Sequence, residues 1–203
     1  MKIIAVVRNG PLPMGPPDIP GLTKYSVHYP LGDTSEKSES IANLSGVAMA
    51  WLDDHEKVNP ASWFPSATVI GYSVKESVKI DYQRTWPDTV PSPGVRRISF
   101  LNAAAGLTRA EMATHWNEVH WPIARKHHQT LWRYVQNVVI NPLTKDAPDV
   151  DAIAELHFRN ESDLNERFYD SEKGQTIVAN DVNNFLDRES GWRILAQETW
   201  VRS

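Results

Sequence analysis

Hydrophobic and polar positions alternate one by one in some stretches of the chain and recur every three to four residues in others, and the two periods mark different elements. KIIAVVR (2–8) is short and β-branched, as a buried strand is, and NGPLPMGPPDIPG (9–21) carries too much Pro and Gly for a helix or strand to run through it. LTKYSVHYP (22–30) alternates as a strand does, a polar stretch rich in Ser and Glu follows, and SGVAMAWLDD (45–54) reads as a third strand ending in acidic turn residues. Residues 66–80 are ambiguous: Pro65 can open a short helix, whereas Gly71 and the β-branched positions oppose one. DYQRTW (81–86) predicts a strand and PDTVPSPG (87–94) a linker.

The second half is clearer. VRRISFL (95–101) predicts a strand, and Thr108 with Glu111 forms a capping box that opens a helix toward Lys126. LWRYVQNVVI (131–140) and DAIAELHF (151–158) are strands, residues 161–187 are helical with a break near Gly174, and WRILAQETWV (192–201) is the last strand. The order β-α-β-β-α-β is the ferredoxin-like arrangement, two helices on one face of a four-stranded antiparallel sheet. The first half echoes it: LTKY (22–25) matches LWRY (131–134), GVAMAWLDD (46–54) parallels DAIAELHFRN (151–160), and YQRTW (82–86) matches AQETW (196–200). The fold class expected is therefore α+β, two ferredoxin-like repeats in one chain. Residues 1–90 form a degenerate repeat without its first helix, and 91–203 form a complete one. Two such sheets can bury their uncovered faces against each other as a barrel, which leaves a homodimer only some other surface to use.

Composition narrows the partners. A chain of 203 residues, 41% hydrophobic and 23% charged, can bury a real core. Lys+Arg 21 against Asp+Glu 25 gives a net charge of -4 with no basic stripe, which argues against nucleic acid. The absence of Cys removes thiol catalysis and thiolate metal sites. MKIIAVVRNGP lacks the apolar region of a signal peptide and no apolar run reaches ~18 residues, so the expectation is a cytoplasmic chain with no membrane partner.

Candidate chemistry concentrates in THWNEVHWPIARKHH (114–128), which holds four of the 7 His and two of the 8 Trp. LTRAEMATHWNEVHWPIAR, followed by LWRYVQN, DAIAELHF and ANDVNNFLDRESGWRILAQETWV, resembles the EthD group of dimeric α+β barrel proteins over about residues 95–202. The spaced H-W-x-x-x-H-x-P, the R-Y-x-Q-N strand and the D-x-x-x-F-x-D before the last strand carry the resemblance. Relatives of this barrel include aromatic polyketide cyclases, muconolactone-type isomerases, dehydratases, haem enzymes and quinol monooxygenases, so fold alone does not choose a reaction.

On a helix with ~100° per residue, Met112, Trp116, Val119 and Ile123 form one stripe, with His115 and His120 on its flanks. Both imidazoles can reach a space between helix and sheet; the plainer alternative is that they cap neighbouring carbonyls. His127 and His128 are assigned to the helix C-terminal dipole. Strand alternation groups Trp132, Tyr134 and Gln136, and separately Ile153, Glu155 and His157, as polar lining beneath the helix. For Glu155 a buried ion pair with an Arg competes with that reading, and Asp181 and Asp187 read as helix-end residues. Chelation from one helix wants i,i+4, whereas i,i+5 sets His115 and His120 ~140° apart, so neither a metal nor another cofactor is expected.

The expectation is cofactor-free acid/base chemistry on a polyketide-like or aromatic-derived carbonyl compound, by dehydration, cyclisation or isomerisation: a lyase or isomerase. His120 would be catalytic with His115 assisting, and Trp116, Trp121, Tyr134, His157 and Glu155 would contact the substrate. Two alternatives stand beside it, a non-catalytic binding protein for an apolar metabolite and a cofactor-independent monooxygenase.

Overall fold

The computed structural model describes residues 1–32, 42–53 and 58–203. Eight antiparallel strands form the frame: β1 (Lys2–Arg8), β2 (Leu22–Pro30), β3 (Leu44–Leu52), β4 (Thr68–Ile80), β5 (Val95–Ala103), β6 (Leu131–Pro142), β7 (Ala152–Phe158) and β8 (Leu186–Arg202). They close into a barrel in the order β1-β3-β2-β8-β5-β7-β6-β4, with β4 pairing back onto β1. Helix α1 (Arg109–His115) continues through a π turn (Trp116–His120) into α2 (Trp121–His127), and α3 (Glu161–Asn165) and α4 (Glu172–Val182) follow β7. Among the described residues no helix is long and apolar enough to cross a membrane.

The first four strands lie in the order β4-β1-β3-β2 and the last four in the order β8-β5-β7-β6, the same sequence of fourth, first, third and second strand. The two sets join where β2 pairs with β8 and β4 with β6. Residues 9–21 contain no helix; Leu12 and Ile19 lie flat over the outer face of the first set, beside Phe64. Helices cover the outer face of the second set, where Met112, Trp116, Leu164 and Phe185 pack on Ala154, Leu156 and Phe158.

Several expectations are corrected. Residues 68–80 are a strand, not a helix, because β1 and β6 offer pairing partners on both sides, and tertiary pairing overrides the mixed local preference. A short 3₁₀ turn (Pro60–Trp63), capped by Asn59, precedes it. DYQRTW is not a strand, since the ladder with β6 ends at Ile80 opposite Tyr134. The third repeat match is consequently out of register: Arg202 stands opposite Tyr25 as Ile80 stands opposite Tyr134, so the positions equivalent to AQETW lie within β4 and YQRTW lies past its end. The break in the 161–187 helix lies between Asn165 and Glu172 rather than at Gly174, and β8 begins at Leu186. Gly174 sits inside α4, where a Cβ would fall 2.0 Å from the Asp170 carboxylate and 2.6 Å from His127 Nδ1. The Ser- and Glu-rich stretch after Pro30 lies largely outside the described residues, as does Asp54.

Strand alternation divides the barrel interior. Ile4, Val6, Met49, Ile70, Ile98 and Ile194 fill one part with an apolar core. On the same inward faces, toward the other end, stand Lys2, Arg96, Glu155, His157 and Glu198, all 2% exposed or less. Glu155 is bonded by Lys2 and, at 3.0 Å, by Arg96, which also meets Glu198 at 2.6 Å. Burial pushes Glu155 up, but the three cations Lys2, Arg96 and Arg133 overcome it and hold the carboxyl well below its ordinary range. Tyr82 and Ser92, from the segment between β4 and β5, donate to Glu198 at 2.6 and 2.8 Å and shut that end.

Removing one member of a buried ion network leaves its partners uncompensated. Glu155→Gln should therefore lower unfolding free energy by about 3 kcal/mol, the lower end for such a loss because Lys2 keeps Glu76 and Arg96 keeps Glu198. Urea unfolding measures this, and a loss below about 1 kcal/mol would show that the network is neutral to stability.

Candidate functional site

The helix begins as its capping box dictates. Thr108 accepts from the Glu111 N–H at 3.2 Å, and Glu111 accepts from the Thr108 N–H at 2.8 Å. Five residues on, the 3.6-residue period fails. Pro122 has no N–H to donate and its ring crowds the carbonyl four residues back, and the chain answers with a wider turn closed by Trp121 N–H on the Trp116 carbonyl. The buried face shifts with it. Met112, Trp116, His120, Ala124 and His128 are buried, spaced four apart, whereas Val119, which an unbroken period would bury, is 45% exposed.

An i→i+5 turn also brings residues five apart over one another, and His115 and His120 converge instead of diverging. Both bond one carboxylate: His115 Nε2 lies 2.8 Å from Asp181 Oδ1, and His120 Nδ1 lies 2.7 Å from Asp181 Oδ2. Asp181 stands in the last turn of α4, and Phe185, four residues on, stacks on the His115 ring at 4.8 Å and leans on His120 at 5.1 Å. An ionised carboxylate only accepts, so His120 donates from Nδ1 and keeps the lone pair on Nε2. Burial lowers the His120 pKa below its ordinary value, while the hydrogen bond and charge of Asp181 oppose the shift. The imidazole is therefore neutral near pH 7 and basic at Nε2.

His120 borders a cavity of about 610 Å³ between the helices and the outer face of the second strand set. Trp116, Tyr134, Phe168 and His128 give it aromatic walls, and Arg97 and Ser99 belong to its floor on β5. Trp116 Nε1 donates to Tyr134 Oη at 2.8 Å and Gln136 Nε2 at 3.2 Å, which occupies the phenol's lone pairs and leaves its O–H to donate. Burial raises the Tyr134 pKa to about 12, so this donor stays protonated. Among the described residues no group of three or more His, Asp or Glu is arranged to hold a metal ion.

Of the residues singled out in the sequence, His120, Trp116 and Tyr134 meet at this cavity. His115 lies outside its lining and is linked to His120 through the shared Asp181 carboxylate. Trp121 is half-buried against the Tyr134 ring at 5.7 Å, outside the cavity. Glu155 and His157 are on the opposite face of the sheet, inside the barrel, because strand parity there turns Ala154 and Leu156 toward the helices. Glu155 is the buried ion pair, and His157 Nε2 is 2.9 Å from the Pro93 carbonyl. His128 is no terminal-dipole residue: it is buried, its ring stacks on Phe168 at 4.1 Å, and it lines the cavity. Asp181 was carried by the D-x-x-x-F-x-D motif, but its role depends on the π turn. Arg97 had no motif to mark it.

Residues 104–189 match the EthD domain model, a span that includes both histidines, Trp116, Tyr134 and Asp181. No curated protein matches the chain. A crystal structure of an anthrone oxidase-like protein superposes with a TM-score of 0.59 at 6% identity, covering 100% of this chain and 94% of that one, a likeness of fold.

Three buried histidines couple this architecture to pH. Burial is the first cause of each shift, lowering His28 to about 3 and His128 and His157 to about 4. A folded-state pKa below the unfolded value of 6.5 means that the unfolded chain binds more protons. The stability these groups contribute is complete above pH 6.5 and is lost as pH falls toward about 4. Urea midpoints should drop steadily between about pH 7 and about pH 4.5, and a flat profile would show that these rings protonate without unfolding cost.

Proposed function

We propose that this chain is a cofactor-free acid/base enzyme acting on a polyketide-like or aromatic-derived carbonyl compound, and that its two halves, 1–90 and 91–203, are ferredoxin-like repeats joined as a pseudodimer. The common strand order of the two sets supports the second part. One observation carries the first: a buried His120, held by Asp181 through Nδ1 so that its lone pair is on Nε2, lines an aromatic-walled cavity.

His120 Nε2 removes a proton from the carbon next to the substrate carbonyl. Asp181 stabilises the imidazolium that forms, as an orienting carboxylate does in other His-based sites. The Tyr134 O–H donates to the carbonyl oxygen as it gains enolate charge. In a dehydration the enolate then expels a β-hydroxyl, the imidazolium returns its proton to that oxygen, and water leaves as the C=C bond forms. Transfer of the same proton to another carbon gives isomerisation. His115 is a positioning residue, fixing the second oxygen of Asp181.

The fold likeness to an anthrone oxidase-like protein favours a second reading, oxygenation of a reduced aromatic ring in the same cavity. Oxygen uptake during turnover separates the two, since dehydration and isomerisation consume none.

On a panel of β-hydroxyketone polyketide mimics followed by absorbance, His120→Ala should lose on the order of 10²- to 10⁴-fold in kcat with a wild-type fold and near-unchanged substrate affinity. His115→Ala should cost less. The wild-type rate should rise with pH through an inflection below 6.5, and Asp181→Asn should move that inflection lower, because the carboxylate is what raises the His120 pKa. Binding of these compounds without conversion by wild-type protein would overturn the enzymatic reading.

A further inference from the structure

The cavity holds a cation that the acid/base mechanism does not use. Arg97 projects from β5 toward the helices, in a row across the sheet that runs Leu195, Arg97, Leu156, Tyr134. With strands spaced ~4.8 Å apart, its Cα lies about 10 Å from that of Tyr134, toward the other side of the same cavity. Of the neighbouring buried arginines, Arg96 ends on Glu155 and Glu198 inside the barrel, and Arg133 pairs with Asp81 at 2.8 Å and lies 3.7 Å from Glu155. Arg97 pairs with no acid among the described residues. Among the described residues its Nε is buried without a hydrogen-bond partner, and its Cζ lies over the Phe168 ring, 4.7 Å from the centroid.

The surrounding charge makes this more costly. Arg193 of β8 pairs with Ser99 and is therefore the diagonal neighbour of Arg97, with like sign on the same face. Burial first, and Arg193 second, pull the Arg97 pKa down to about 10, while Tyr169 and Tyr134 pull the other way. Arg188 also borders the cavity. Asp187 is the carboxylate on this wall, and it accepts from the Glu189 N–H at 2.9 Å and from Ser190. A guanidinium whose Nε is buried and which meets no acid among the described residues is unfavourable until an anion meets it, and its planar fork matches two carboxylate oxygens.

We propose that Arg97 is the carboxylate-recognition residue of this cavity and that the substrate class is accordingly an aromatic or polyketide-like carboxylic acid. This rests on the reading of the cavity as the binding site. The carboxylate docks on Arg97 beside Arg193, the ring body lies against Phe168 and Leu156, and the reacting carbonyl reaches Tyr134 and His120. His128, stacked on Phe168 and within electrostatic reach of both His120 and Arg97, stays neutral between the two ends.

The test uses 2-naphthoate and its neutral counterpart 2-naphthamide, titrated calorimetrically into the full chain. Wild-type protein should bind the carboxylate at least about 10-fold more tightly than the amide, a bidentate charge-assisted pair being worth that or more. Arg97→Gln should abolish the preference by weakening 2-naphthoate alone, and Arg193→Gln should reduce it less. In wild-type protein the Arg97 Nε–H resonance should shift with 2-naphthoate and not with 2-naphthamide, a readout independent of any variant's folding. Equal affinity for the two probes, binding of neither, or a preference that survives in Arg97→Gln would overturn the proposal. His120→Ala should keep the preference. If it does and no acid/base turnover is ever found, the carboxylate site stands and the enzymatic reading falls.

Discussion

Barrel closure is the constraint on which the rest depends. Each four-strand set by itself would expose two edges and one apolar face, and the β2·β8 and β4·β6 ladders remove all of these at once. Closure also fixes which side of every strand is interior. Inward positions build the core and the Lys2–Glu155–Arg96–Glu198 network, and the cavity lies on the outer face of the second set, under the helices.

That outer face is asymmetric between the halves for a plain reason. Residues 9–21 are too rich in Pro and Gly to form a helix, so they lie down over β1, β2 and β3 and fill the space with Leu12 and Ile19. The corresponding connection in the second half is a helix that stands off the sheet. Trp116 braces it against Tyr134, and the gap left beyond that brace is the cavity. The bulkier, regular element makes the pocket, and the irregular one closes its counterpart.

The π turn ties backbone to chemistry. A Pro at 122 in a regular helix would cost a hydrogen bond and force a clash. Here the extra residue in the turn absorbs the Pro and carries His120 onto the side where α4 supplies Asp181. Phe185 then packs both rings, so the orientation of the imidazole is set by packing and by a hydrogen bond together. Across the cavity Arg97 meets no such partner among the described residues, and this difference between a satisfied histidine and an unsatisfied arginine distinguishes the two ends of the cavity.

The sequence by itself determined most of the strands, the capped helix, the helix-free loop at 9–21 and the clustering of His and Trp around position 120, because these follow from local period, Pro and Gly content, capping and composition. It pointed to Trp116 and Tyr134 through the same patterns. Tertiary structure decided the remainder. β4 exists because β1 and β6 pair with it, against a mixed local preference. His115 and His120 share Asp181 because a Pro-induced turn changes the helical period, which a fixed 100° rule misses. Glu155 and His157 face the barrel rather than the pocket, since alternation tells which residues share a side but only closure tells which side is inward. Arg97 is the furthest from legibility: one unmarked residue in VRRISFL, its significance lying in the lack of a partner among the described residues, which is a property of the packed molecule and of no stretch of sequence.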